Sequence, residues 1–140
     1  METLFGREHV DRYVATDGAE GYDWRGTTIL ILTTTGRRTG EQRTHALIYR
    51  DWALPDGTAA HLIVGSKGGA DAPPAWYVNL QAEPRVHVQV KGDRFAAHAR
   101  TATPAEKPAM WAHMLEVWPD YAAYQAKTER EIPIVVLERD

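Results

Sequence analysis

Two short glycine-bracketed runs carry the side chains best suited to chemistry. Gly36-Arg37-Arg38-Thr39-Gly40 places two guanidinium groups on a turn directly after the apolar Ile29–Thr35 segment. Gly65-Ser66-Lys67-Gly68-Gly69 combines a hydroxyl, an ammonium and unhindered main chain. Cations beside flexible backbone suit a phosphate-bearing ligand, because charge-assisted hydrogen bonds are strong and such turns can cup an anion. Neither run is a nucleotide fingerprint. Gly-x-Gly-x-x-Gly does not occur, and the lysine loop lacks the spacing of a triphosphate cradle. Taken singly, each is more simply a surface turn. At neighbouring strand ends of a small barrel, the ligand site and the pair of plain turns are equally economical readings.

Aromatic residues are the second resource. Five tryptophans and six tyrosines are many for 140 residues. Trp24, Trp52 and Trp111 read as packing residues. Trp76 follows the lysine loop closely enough for its ring to lie beside whatever that loop holds. Tyr121 and Tyr124, three apart after Pro119, share one helix face. Phenols against a flat heterocycle can pack on it and also give up a proton. The six histidines (9, 45, 61, 87, 98 and 113) have no ligand spacing and no clustered carboxylates, so no metal site is expected and most read as solvated or hydrogen-bonded. Ser66 is the only serine and has no nucleophile elbow around it, which argues against a serine hydrolase.

These residues need elements to place them. Residues 7–17 can form an amphipathic helix, and residues 18–26 read as irregular chain. Ile29-Leu30-Ile31-Leu32 and the three threonines after it form a strand apolar enough for burial on both faces. Arg43–Trp52 and Ala59–Gly65 follow as strands around a Pro55-Asp56-Gly57 turn. Asp71–Gln81 is an expected helix with prolines at its start. Arg85–Lys91 alternates, which sends the valines inward and Arg85, His87, Gln89 and Lys91 outward; Arg94–Thr101 is its partner. Thr103-Pro104-Ala105-Glu106 matches a capping box ahead of a helix striped by Met110, Trp111, Met114, Leu115 and Trp118. Pro119 starts another short helix. Ile132–Leu137 is a final strand, and Pro133 implies an edge or a bulge.

The order β-β-β-helix-β-β-helix-helix-β, with hairpin-length connections, is not the alternation of a doubly wound sheet. It predicts an α+β, mostly antiparallel chain: a small barrel with peripheral helices. One domain over 1–140 is expected, with residues 1–26 as an N-terminal helix and irregular segment and 27–140 as the barrel core. The length suffices for a core without metals or disulfides. The net charge of -3 argues against nucleic acid, yet residues 37–50 carry four arginines and one acid. The charge excess is local, as a site would be. Cysteine is absent, so disulfides and thiol chemistry are excluded. No secretory run opens the chain and no membrane-length apolar stretch occurs, so a cytoplasmic location is expected.

Six motifs then fall in order: Thr33-Thr34-Thr35-Gly36-Arg37-Arg38-Thr39-Gly40, Ser66-Lys67-Gly68-Gly69, Pro74-x-Trp76-Tyr77-x-Asn79-Leu80, Pro84-x-Val86-x-Val88, Trp118-Pro119-x-Tyr121-x-x-Tyr124 and Ile132-Pro133-Ile134. In these the sequence resembles the deazaflavin-dependent nitroreductase family of actinobacteria, whose members use coenzyme F420. The resemblance implies a split β-barrel of the FMN-binding type. It implies a reduced deazaflavin that passes hydride to a conjugated acceptor such as a quinone, enone or nitroaromatic. Arg37, Arg38 and Lys67 match positions that grip the anionic tail, and Arg43 joins them. Ser66, Gly68, Gly69 and Trp76 match positions near the phosphate and ring. Tyr121 and Tyr124 match the substrate side. Trp118 and Ile48 stand there where some relatives have tyrosine, which weakens the case for bulky bicyclic nitro compounds. Tyr124, Tyr121 or Ser66 would supply the proton. An FMN-dependent split-barrel oxidoreductase and a non-catalytic deazaflavin carrier are the alternatives. The expected partner is a small-molecule acceptor. A membrane-derived quinone would bring loose membrane contact, and the chain is read as a monomer or homodimer.

Overall fold

The computed structural model describes residues 4–140. Met1-Glu2-Thr3, the start of the terminus read above as lacking a secretory signal, lie outside the described residues. Helix α1 (Gly6–Thr16) precedes strands β1 (Asp23–Trp24), β2 (Thr27–Thr35), β3 (Gln42–Ala53) and β4 (Ala59–Val64). A single 3-10 turn, Lys67–Gly69, leads to α2 (Ala75–Ala82), β5 (Arg85–Val90) and β6 (Asp93–Thr101). Helices α3 (Lys107–Leu115) and α4 (Asp120–Ala126) and strand β7 (Ile134–Arg139) complete the chain. No helix among the described residues is long and apolar enough to cross a membrane.

Every strand pairing is antiparallel, in the order β1-β2-β3-β4-β7-β6-β5, and β5 pairs back onto β2. Strands β2 to β7 therefore close into a six-stranded barrel, as the strand order predicted. The strand alternation sorts the side chains. Leu30, Leu32, Ile63, Val86, Val88, Phe95, Val135 and Leu137 share one cluster, the barrel lumen, with Trp76 and Leu80 of α2 packed into it. The intervening residues face outward under helices. Ile29 and Ile31 meet Val10 and Tyr13 of α1. Leu62, Val64, Ile134 and Val136 meet Met110 and Met114 of α3 and Tyr121 of α4. Burial of β2 on both faces, expected from its unbroken apolar run, follows from this double cover.

The barrel is split on one side. β3 is twelve residues long but pairs with β4 only from Arg50 to Ala53. From Gln42 to Tyr49 it carries β2 on one flank and, among the described residues, no strand on the other.

Several local expectations need correction. The 18–26 segment holds strand β1, whose two residues are too short to show a period. Helix α2 starts at Ala75, because Pro73 and Pro74 hold the chain extended before it. Gln89 is buried where alternation placed it outward; its Nε2 is satisfied by donating to the Lys91 carbonyl, 2.8 Å away. Strand β7 is flanked by β4 and β6, so it is interior, and Pro133 sits just before its first residue. The two hydrogen bonds of the capping box form, but around a turn: α3 starts only at Lys107, so Pro104 is not its first helical residue. Glu106 N–H donates to Thr103 Oγ1 (3.2 Å) and Thr103 N–H donates to Glu106 Oε1 (2.9 Å).

Candidate active site

A cleft of about 580 Å³ lies at the split, within the usual range for small-molecule sites. Its walls are His45–Ile48 on the unpaired stretch of β3, the chain leaving β4 at Ser66–Gly68, Pro74–Trp76 at the start of α2, and Trp118, Tyr121 and Tyr124. Leu4–Gly6, His9 and Trp24 add a fifth wall from the N-terminal segment. Because β3 has no neighbour here, alternate residues turn backbone N–H and C=O groups toward the opening.

The lysine loop is shaped by its backbone. Ser66 is right-handed helical (φ -79°, ψ -40°) and Lys67 is left-handed (φ 45°). Successive right- and left-handed residues aim adjacent N–H groups to one side and make an anion-binding concavity. A left-handed conformation at a non-glycine residue costs about 1 kcal/mol or more, so surrounding contacts must hold it. One such contact is at Gly69, where a Cβ would stand 2.6 Å from the Tyr124 carbonyl oxygen. Only glycine lets the turn lie this close to α4. The lysine loop and the tyrosine helix are thus locked together.

The aromatic residues divide by environment. Tyr121 is buried, and burial, with the Tyr124 phenol beside it, pushes its hydroxyl well above the usual tyrosine range. Tyr124 is half-buried, and its oxygen accepts a bond from Trp118 Nε1 at 3.4 Å. That bond occupies a lone pair and leaves the phenol O–H free to donate. Trp118 also lies against Trp24, with ring centroids 5.7 Å apart. Trp24 is therefore a cleft residue as well as a packing residue, fixed by its Nε1 bond to the Leu4 carbonyl at 2.8 Å. Trp118 stands beyond the end of α3, off the helical stripe to which the sequence assigned it. Trp52 and Trp111 pack against the outer cluster, as read.

Of the sequence candidates, Ser66, Lys67, Gly68, Trp76, Trp118, Tyr121, Tyr124 and Ile48 all line the cleft. Gly69 lies behind it, against α4. Arg37, Arg38 and Arg43 lie outside its lining, on the β2–β3 turn and the start of β3. Arg37 binds Asn79 Oδ1 through both its backbone N–H (3.2 Å) and its guanidinium (2.8 Å), tying the turn to the helix that bears Trp76. Arg43 pairs with exposed Glu41 at 3.2 Å. The N-terminal wall and His45 escaped the sequence reading. His45 Nδ1 is buried with no partner among the described residues, and burial lowers the ring's pKa, so among those residues nothing solvates or hydrogen-bonds that atom. His61 Nδ1, outside the cleft lining, is orphaned in the same way. A polar residue in an otherwise apolar strand stretch was the only signal for His45.

The sequence matches the family model of the F420H2-dependent quinone reductases over residues 4–139. It is 39% identical to the F420H2-dependent quinone reductase Rv1261c of Mycobacterium tuberculosis over 139 residues, 95% of this chain and 89% of that protein. Among solved structures, an F420-H2 dependent reductase, FDR-A, superposes with a TM-score of 0.67 and 35% identity, covering 79% of this chain and 93% of its own. A second solved structure, described only as a domain-swapped dimer, gives a TM-score of 0.70 at 34% identity over 94% and 96% of the two chains. A split barrel, a cleft joining a cationic turn to aromatic walls and these matches agree: the chain belongs to the F420H2-dependent quinone reductase family, an oxidoreductase family whose cofactor is coenzyme F420.

Proposed function

We propose that this protein passes a hydride from reduced F420 to a quinone within the cleft at the split, and that enones and nitroaromatics are further acceptors. The observation that carries the reading is the meeting of two chemistries in one cavity. A left-handed cationic turn, Ser66-Lys67-Gly68, shares its walls with Trp24, Trp118, Tyr121 and Tyr124. The residues fit the cofactor. Its anionic tail needs N–H groups and cations, which the Ser66–Lys67 turn offers. Arg37, Arg38 and Arg43 on the β2–β3 side are further cations for a tail that extends beyond the cleft. Its flat ring needs apolar walls with a few polar atoms, which Trp76 and the unpaired β3 edge provide, with Ile48 on the acceptor side. The orphaned Nδ1 of His45 is a buried polar atom of the kind a bound ligand or water satisfies.

Reduced F420, when bound, supplies the hydride. The chain's own residues do the rest. Reduction of a quinone to its quinol takes up one proton along with the hydride, and the developing oxyanion needs a donor. Our candidate is Tyr124, supported by the Trp118 N–H on its oxygen, which leaves its own hydrogen unspent and stabilises negative charge there. Burial raises the Tyr121 pKa and makes its proton harder to release, so its ring shapes the acceptor wall. Ser66 sits at the cofactor side as the alternative donor. The aromatic walls exclude water, which strengthens each of these contacts. Solution as a dimer is the accompanying reading, favoured by the domain-swapped relative, and a membrane-borne quinone would bring the protein to a lipid surface.

The test is anaerobic oxidation of reduced F420 by a soluble quinone. Tyr124→Phe should cost about 10²–10⁴-fold in kcat, the usual worth of general-acid help, and Tyr121→Phe far less. Full turnover in Tyr124→Phe at saturating quinone would remove it as donor. Turnover with reduced FMN but not reduced F420 would favour the FMN alternative. F420 binding with no oxidation by any quinone, enone or nitroaromatic would leave a carrier.

A further inference from the structure

Arg130 lies in the connection from α4 to β7, and all three of its guanidinium nitrogens bond the lysine loop. Nε donates to the Ala70 carbonyl at 2.7 Å, NH1 to Gly65 at 3.2 Å and NH2 to Ser66 at 2.8 Å. We propose that Arg130 is a positioning residue for the cofactor: by holding these three carbonyls it keeps the Ser66–Lys67 backbone turned to receive the anionic tail. The proposal rests on the reading that this loop holds the F420 tail.

Peptide geometry supplies the argument. In a planar trans peptide the carbonyl of one residue and the N–H of the next point in opposite directions. Arg130 draws the Gly65 and Ser66 carbonyls to its own side, so the N–H groups of Ser66 and Lys67 turn away from it. These are the N–H groups that a right-handed residue followed by a left-handed one aims at an anion. The loop closes on itself through Gly69 N–H to the Ser66 carbonyl (2.9 Å) and Ala70 N–H to the Lys67 carbonyl (3.1 Å), and Arg130 adds outside support for the strained Lys67. Arg130 is in turn fixed from α4, the helix of Tyr124. Gln125 Nε2 donates to the Arg130 carbonyl at 2.8 Å, and Gln125 Oε1 accepts from Ile132 N–H at 2.9 Å. The same guanidinium also places a positive charge behind the turn. A lysine there would keep the charge but could not span three carbonyls, because its donors radiate from one atom.

The test is a double-mutant cycle between Arg130→Lys and Lys67→Ala. F420 is titrated into each protein by quenching of tryptophan fluorescence at several salt concentrations, alongside thermal melting. Arg130→Lys should weaken F420 binding about ten-fold, the scale of one charge-assisted contact, with the acceptor KM unchanged. In the Arg130→Lys background, Lys67→Ala should cost less than about two-fold, because sites that act as a unit are not additive. The salt dependence of Arg130→Lys should flatten toward that of Lys67→Ala. Multiplicative effects, or F420 binding unchanged in Arg130→Lys, would overturn the proposal while leaving the tail reading in place. Wild-type protein that fails to bind F420 overturns both. Should Arg130→Lys not fold, amide exchange of the wild type decides. Ser66 and Lys67 amides that become protected on F420 addition support the geometry, and amides unchanged by F420 refute it.

Discussion

Replacing Gly69 by alanine separates the two halves of the site by a calculable amount. The added methyl would stand 2.6 Å from the Tyr124 carbonyl oxygen, 2.9 Å from its Cα and 3.1 Å from its carbonyl carbon. Ordinary contact starts at 3.4 Å, so the turn and α4 must part by about 0.8 Å (3.4 − 2.6). All three clashing atoms are backbone, so no side chain can swing aside. The residue also sits at φ +86°, and holding alanine there costs roughly 1–2 kcal/mol. Overpacking adds about 1–3 kcal/mol. A total near 3 kcal/mol lowers Tm by roughly 10 °C in a chain of this size. Gly68→Ala is the control, since Gly68 has φ +62° and nothing within 4 Å of its added methyl. It should lose only the backbone share, roughly 1–2 kcal/mol. Melting curves give the stability difference, and steady-state F420H2 oxidation gives the functional one. Gly69→Ala should weaken both cofactor binding and turnover, because the turn and Tyr124 move together. Equal losses of Tm in the two variants, with turnover intact in Gly69→Ala, would refute the claim that loop and helix are locked.

Other outcomes follow from the same geometry. Arg100 bonds both Glu106 oxygens (2.7 and 2.9 Å) and Glu138 (2.7 Å), and with the Thr103 N–H it holds the Glu106 carboxyl down at about 2. Because the folded value lies below the unfolded one, that stabilisation is complete above about pH 4.5 and fades as pH falls toward 2. Glu106→Gln should lower stability by about 1 kcal/mol near neutrality, with the gap to wild type closing over that window in acid melts. Burial lowers the pKa of His45 and, against the pull of Asp51, of His61, so each holds a proton less readily in the fold than in the unfolded chain, where the value is about 6.5. Stability should therefore fall as pH drops below 6.5, and His61→Phe, packed between Tyr49 and Phe95, should flatten that fall in Tm measurements. Lys67→Ala should raise the Kd for F420 about ten-fold, and Arg43→Ala less, since Arg43 is exposed and already shared with Glu41. Trp118→Phe should lower kcat by removing the N–H on the Tyr124 oxygen, with the F420 Kd unchanged.

The barrel was legible because its signals are local. The Ile29–Leu32 run, the Arg85–Val90 alternation and the hairpin turns each fix a strand from a few adjacent residues, and the short connections make antiparallel pairing the simple solution. The cleft residues on the lysine loop and α4 were legible because glycine, lysine and paired tyrosines are chemically distinctive. What stayed hidden depends on contacts distant in sequence. Trp24 reads as any packing tryptophan until Trp118, 94 positions later, lies against it. Gln89 looks like a surface residue because its hydrogen bond to the Lys91 carbonyl has no sequence signature. Arg37 reads as a free cation, yet Asn79 takes up its guanidinium from another element. Arg130 lies among charged residues at 127–131 and stands out only when its three carbonyl partners are known.

The central claim is that a left-handed cationic turn holds the F420 tail and brings its ring among the aromatic walls. Calorimetric titration of the wild type and Lys67→Ala with F420, at low and high salt, measures this directly. The account predicts wild-type binding that weakens with salt, and a Lys67→Ala Kd about ten-fold higher with a shallower salt dependence. Identical Kd values and salt slopes for the two proteins would contradict it.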